Sequence, residues 1–104
     1  MEQLQQITHY ITKVTSDERL KPIHLALSFA LCNGWIIAQF QQPYRVSRKV
    51  LMQASRIRSK ATYHRVIKDL QSYGYLKYYP SYHPKNASRV IIMGQNELLV
   101  KRNR

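Results

Sequence analysis

The chain divides into segments that differ in hydrophobic period. Leu4, Ile7, Ile11 and Val14 follow a 3, 4, 3 spacing, which predicts an amphipathic helix over residues 2–15, interrupted after Thr15 by Ser16 and Asp17. From Ile23 to Phe40, 13 of 18 residues are apolar. Leu25, Phe29, Cys32, Ile36 and Phe40 repeat at helical spacing, and Leu27, Leu31 and Trp35 cover an adjacent face, so a buried central helix is predicted. Pro22 suits its first turn, Asn33-Gly34 marks a kink, and Pro43 ends it.

Two capped helices come next. Ser47 caps a short one through Ala54 with Val50, Leu51 and Ala54 inward, a turn from Ser55 to Arg58 wraps the apolar Ile57, and Ser59 caps the second. In the second helix Tyr63, Val66, Ile67, Leu70 and Tyr73 form one apolar stripe, and Gly74 supplies a left-handed stop. Tyr75–Tyr79 is rich in strand formers, the stretch from Pro80 to Ala87 is turn-prone, and Ser88–Met93 is a second strand bounded by Gly94. Helix, turn, helix, hairpin is the order of a winged helix. The expected class is mainly α with a small β-hairpin: a winged helix-turn-helix, with a three-helix core plus wing and an extra N-terminal helix. One domain is expected over 1–104, with the winged helix at 19–94 and a C-terminal segment with a basic tail at 95–104.

Charge sharpens this picture. The chain carries 17 Lys plus Arg against 5 Asp plus Glu, a net charge of +12. No charged residue falls from Pro22 to Tyr44, whereas eight cations and no anion lie from Arg45 to Lys68. A balance this basic implies an anionic partner, with nucleic acid ahead of a membrane surface. The uncharged stretch falls short of the ~20 apolar residues of a membrane span and is broken by His24, Ser28, Asn33, Gly34 and Gln39, so no membrane association is expected. A single Cys32 and a start without a secretory pattern point to the cytoplasm.

The stretch from Ile57 to Leu76, IRSKATYHRVIKDLQSYGYL, resembles the recognition-helix pattern of GntR-type winged-helix regulators. Ser59, Lys60, Thr62, Arg65, Leu70 and Gly74 stand at the pattern's Ser, basic, Thr, Arg, Leu and Gly positions. From about Pro22 to Gly94 the chain is also similar to small winged-helix proteins of bacterial conjugative and mobilisable elements, through the Trp-bearing helix, the SKATYH run and the PSYHP wing. The resemblance implies a small regulator that binds duplex DNA in sequence-specific fashion. Arg56 replaces the turn Gly of the broader pattern, which predicts a longer or differently bent turn.

On that reading Lys60, Thr62 and Arg65 are the candidates for base readout, and Arg65 leads because its fork can donate twice to a guanine edge. Arg48, Lys49, Arg56, Arg58, Ser59, His64 and Lys68 are candidate phosphate contacts, Ser59 through the helix amides it caps. In the wing, Tyr82, His83, Lys85, Asn86 and Arg89 are candidates for the minor groove or its phosphates. Leu4, Ile7, Ile11 and Val14 either pack onto the domain's own core or form a homodimer seam.

Other chemistries find little support. The five carboxylates, Glu2, Asp17, Glu18, Asp69 and Glu97, are too scattered for an acid–base pair, and there is no Gly-rich phosphate loop, so no enzyme is expected. His9, His24, His64 and His83 have no ligand spacing, so neither metal nor cofactor is expected, and one small domain leaves no length for sensing a small molecule. Tyr63 belongs to the core or stacks on a sugar. Tyr73, Tyr75 and Tyr78 or Tyr79 build sheet and core, or form a single-strand platform. Three further readings stay open: an architectural factor for excision or transfer of a mobile element, an RNA- or ribosome-associated basic protein, and a protein-interaction adaptor that uses the winged helix as a scaffold.

Overall fold

The computed structural model describes residues 2–81 and 88–93. In chain order they form α1 (Glu2–Ser16), α2 (Pro22–Ile37), β1 (Tyr44–Val46), α3 (Arg48–Ser55), α4 (Lys60–Ser72), β2 (Leu76–Tyr79) and β3 (Ser88–Ile92). The protein is mainly helical, with a small antiparallel sheet in the order β1-β3-β2. That sheet has one strand more than the expected hairpin: β1 pairs with β3 through Tyr44 opposite Val90, Arg45 opposite Arg89 and Val46 opposite Ser88.

Helix α2 is the hub. Leu27, Leu31 and Trp35 are fully buried, each contributing about 2 to 3 kcal/mol by leaving water, and His24, Ser28 and Cys32 are buried beside them. Of the two rows expected to be buried, the one from Leu25 through Phe40 is the less buried. Phe29 and Ile36 are exposed and Ile37 is 73% exposed, because the helix is apolar on all sides and its neighbours cover only one. The helix runs unbroken through Asn33-Gly34. Gly34 makes room for Tyr44, whose Cε2 would lie 3.1 Å from a Cβ there. The Tyr44 hydroxyl donates to the Leu31 carbonyl, fixing β1 on α2. The helix ends at Ile37, well before Pro43, in a turn where Gln39 (φ 56°) and Phe40 (φ 65°) are left-handed and Phe40 folds edge-on against Trp35.

Helix α1 lies on this core. Tyr10 and Val14 are fully buried and Ile7 and Ile11 are half-buried against the core, while Leu4 is exposed. Of the four seam residues, Val14 thus belongs to the core of its own chain, while Leu4 remains exposed. After α1 the chain is clasped to β2, since Asp17 accepts from the Tyr75 hydroxyl at 2.7 Å and from the Arg19 guanidinium at 2.6 Å. The Arg19 guanidinium in turn lies 4.2 Å from the centre of the Tyr73 ring.

Strand alternation gives the sheet two distinct faces. Tyr44, Val46, Leu76, Val90 and Ile92 are buried against the helices, whereas Arg45, Lys77, Tyr79 and Arg89 are exposed on the other side.

Candidate nucleic-acid interface

Both helices of the cationic region start where a serine caps them. The Ser47 hydroxyl accepts from the Val50 amide and the Ser59 hydroxyl from the Thr62 amide, each at 3.3 Å. In α3 the inward residues are Leu51, Met52 and Ser55, not Val50 and Ala54. Val50 is 59% exposed, because α3 is turned so that the Leu51 side meets α2. In α4 the expected stripe holds. Tyr63, Val66, Ile67 and Leu70 are buried, and Tyr63 is therefore a core residue.

The turn between the helices keeps its shape despite lacking glycine. Arg56 itself adopts the left-handed conformation (φ 63°, ψ 27°) and closes α3 as a glycine would. An L-residue in this region costs about 1 to 2 kcal/mol. Part is recovered as the Arg56 guanidinium donates to the Gln53 carbonyl at 2.8 Å. Ile57 is buried beneath the turn and anchors it.

Arg48, Lys49, Arg56, Arg58, Lys60, Arg65 and Lys68 are all exposed, and no carboxylate lies among them in sequence. The next anion along the chain, Asp69, is drawn back toward α2: its Oδ2 accepts from His24 Nε2 at 2.9 Å. The Lys21 amide donates to His24 Nδ1, which leaves Nε2 as the protonated nitrogen of a neutral ring. This hydrogen bond ties α4 to the start of α2 and engages one oxygen of the carboxylate.

The cations separate into two groups. With about 100° per residue, Ala61, Arg65, Lys68 and Ser72 form the outward ridge of α4, opposite its buried stripe. Lys60 and Thr62 stand about 160° apart around the axis, on opposite flanks of that ridge, so Lys60, Thr62 and Arg65 do not share one face. Thr62 is only half-exposed. Lys60 belongs instead to a cavity of about 760 Å³ that it lines with Arg48, Lys49, Met52, Gln53, Arg56, Ile57 and Arg58. Five cations thus rim a depression floored by Met52 and Ile57, at the place where α3 and its turn meet the start of α4. His64 is exposed and packs edge-on to Tyr63.

Of the wing candidates, Arg89 is exposed on β3, while Tyr82, His83, Lys85 and Asn86 lie outside the described residues, as does the tail from residue 94. Two exposed positions were not singled out by the sequence pattern. Ala61 sits on the outward ridge of α4, where a helical projection of the capped segment reveals it. Arg45 sits on β1, opposite Arg89, and no local signal marks it. Among the described residues no three His, Cys, Asp or Glu side chains gather into a metal site, and no helix is long and apolar enough to cross a membrane. Comparison with protein-family models, with curated proteins and with solved structures finds no match.

Proposed function

We propose that the protein is a winged helix that binds duplex DNA, with α4 in the major groove and α3 and the turn on the flanking phosphates. The observation that carries this reading is the set of seven exposed cations on α3, the turn and α4, with the nearest carboxylate in sequence, Asp69, engaged by a hydrogen bond from His24. The order α2, β1, α3, α4, β2, β3 and the sheet order β1-β3-β2 support it, since two serine-capped helices joined by a short turn are followed by the two remaining strands of a small sheet. Arg65 and Ala61 face outward near the start of α4, where a guanidinium suits a guanine edge and a small methyl suits a thymine methyl. The five cations of the cavity rim take phosphates, which orient the protein without reading sequence.

The biological role that fits is regulation by occupancy, as in a small transcriptional regulator. Selection of bound sites from a random duplex library tests the binding and returns the preferred sequence. If six to eight phosphates are neutralised, the logarithm of affinity falls against the logarithm of salt with a slope of about −5 to −7. A slope near zero, or a clear preference for structured RNA at equal salt, would overturn the proposal. Footprints on a promoter rather than on the ends of a mobile element separate a regulator from an architectural factor.

A further inference from the structure

The outer face of the sheet carries an arrangement of which the duplex reading uses only Arg89. Register places Arg45 on β1 directly opposite Arg89 on β3, and Arg89 directly opposite Tyr79 on β2. Directly opposed residues in an antiparallel sheet project from the same face, so the three side chains form one row across all three strands. With strands about 4.8 Å apart, the row spans about 10 Å. The next row on this face, about 7 Å along the strands, holds Lys77 opposite Ile91. All but Ile91, which is half-buried, are exposed.

Two features of this face need an explanation. Like charges directly opposite one another destabilise a sheet, and among the described residues neither Arg45 nor Arg89 has an ion-pair partner. An anion seated between the two guanidiniums turns that repulsion into attraction. Tyr79, 44% exposed, is the second feature. Its neighbour Tyr78 faces the helices and packs against the core, so strand alternation separates two adjacent tyrosines into one structural ring and one open ring. An open aromatic ring beside a pair of guanidiniums is suited to a base and its phosphate together. In a duplex the base faces are already stacked within the helix, which leaves an unpaired strand as the occupant.

We propose that the outer face of the sheet is a second nucleic-acid surface that binds a single strand, with one phosphate held between Arg45 and Arg89, the adjacent base stacked on Tyr79, and the next phosphate near Lys77. This surface shares only Arg89 with the residues expected to touch duplex DNA, so it can be tested independently of α4. The bases need no particular edge, and the binding is therefore tolerant of sequence.

The test measures fluorescence anisotropy of the full chain with labelled oligothymidylate and oligouridylate of about ten nucleotides, with a duplex titrated in parallel samples. Stacking on one ring predicts that Tyr79→Ala weakens single-strand binding about tenfold while Tyr79→Phe retains it. Arg45→Ala lowers the salt slope for the single strand by about 0.7. Arg65→Ala leaves single-strand affinity unchanged. The two oligonucleotides decide whether DNA or RNA is preferred, and comparison of thermal transitions verifies that each variant is folded. The proposal is overturned if the unaltered chain does not bind single strands, or if Tyr79→Ala and Arg45→Ala bind as tightly as it does. It is equally overturned if Arg65→Ala abolishes single-strand binding, because the strand would then lie on α4. Failure of the unaltered chain to bind duplex, with single-strand binding present, would count against the role of α4 and leave the sheet surface standing.

Discussion

Raising the pH should unfold this protein in a narrow range, and the tyrosines set the size of the effect. Burial raises the pKa of Tyr10, Tyr44 and Tyr63 well above the usual phenol range, and burial together with the Asp17 carboxylate pushes Tyr75 up to about 12. In the unfolded chain each phenol ionises near pH 10. Above that pH the unfolded state releases four protons that the folded state retains, so stability is intact below about pH 10 and falls as pH rises. Each group contributes about 1.4 kcal/mol per pH unit, and four together about 5 to 6 kcal/mol per unit. Against a domain stability of about 5 to 15 kcal/mol, unfolding is expected within about one to three units above pH 10. The assay is an alkaline titration that follows phenolate absorbance and helical circular dichroism in one sample. A step equivalent to about four tyrosines should coincide with loss of helix, and Tyr75→Phe should reduce the pH dependence by about a quarter. Complete ionisation of every tyrosine with the helical signal intact would refute the reasoning.

At the acid end, Arg19 and the Tyr75 hydroxyl hold the Asp17 carboxyl well below its usual range, so its contribution is present above about pH 4 and disappears as pH falls further. Asp17→Ala should cost about 1 kcal/mol at neutral pH and progressively less as pH falls below about 4, as measured by urea denaturation. Arg56→Gly should raise stability by about 1 kcal/mol by removing the left-handed strain, while lowering the duplex salt slope by about 0.9, as read by paired thermal and salt titrations. In competition among duplex sites, Arg65→Ala should flatten the preference by about 1 to 3 kcal/mol, whereas Arg48→Ala should weaken all sites alike. Equal, sequence-independent losses from both would remove the division between reading and clamping.

Much of the helical layout is legible in sequence because its signals are local. Ser47 and Ser59 announce α3 and α4 by capping chemistry, and Gly74 (φ 86°) stops the last helix through a backbone conformation that glycine adopts freely. Direction is harder to read than existence. Helix α2 is apolar on every side, so its periodicity does not say that Leu27, Leu31 and Trp35 face inward while Phe29 and Ile37 face out. Its neighbours decide that. Strand β1 is three residues long, and its partner lies more than forty residues further along the chain, beyond any window of pattern reading. The same distance hides the site residues that matter in tertiary terms. Lys60 and Arg65 look like one surface in sequence, yet packing assigns Lys60 to α3 and the turn, and Arg45 acquires significance only through the strand that comes to lie opposite it.

That strand order also governs assembly. Strand β3, the last of the described elements in sequence, occupies the centre of the sheet, so β1 and β2 have no partner in it until residues 88–92 insert between them. The helices can begin to collapse while the chain is still emerging from the ribosome, but the sheet closes only when its final strand arrives, at the loop-closure cost of a long-range pairing. A nascent chain stopped short of residue 88 would therefore retain the cations of α3 and α4 without the sheet beside them. Arrival of β3 becomes the step that gives the molecule its second face.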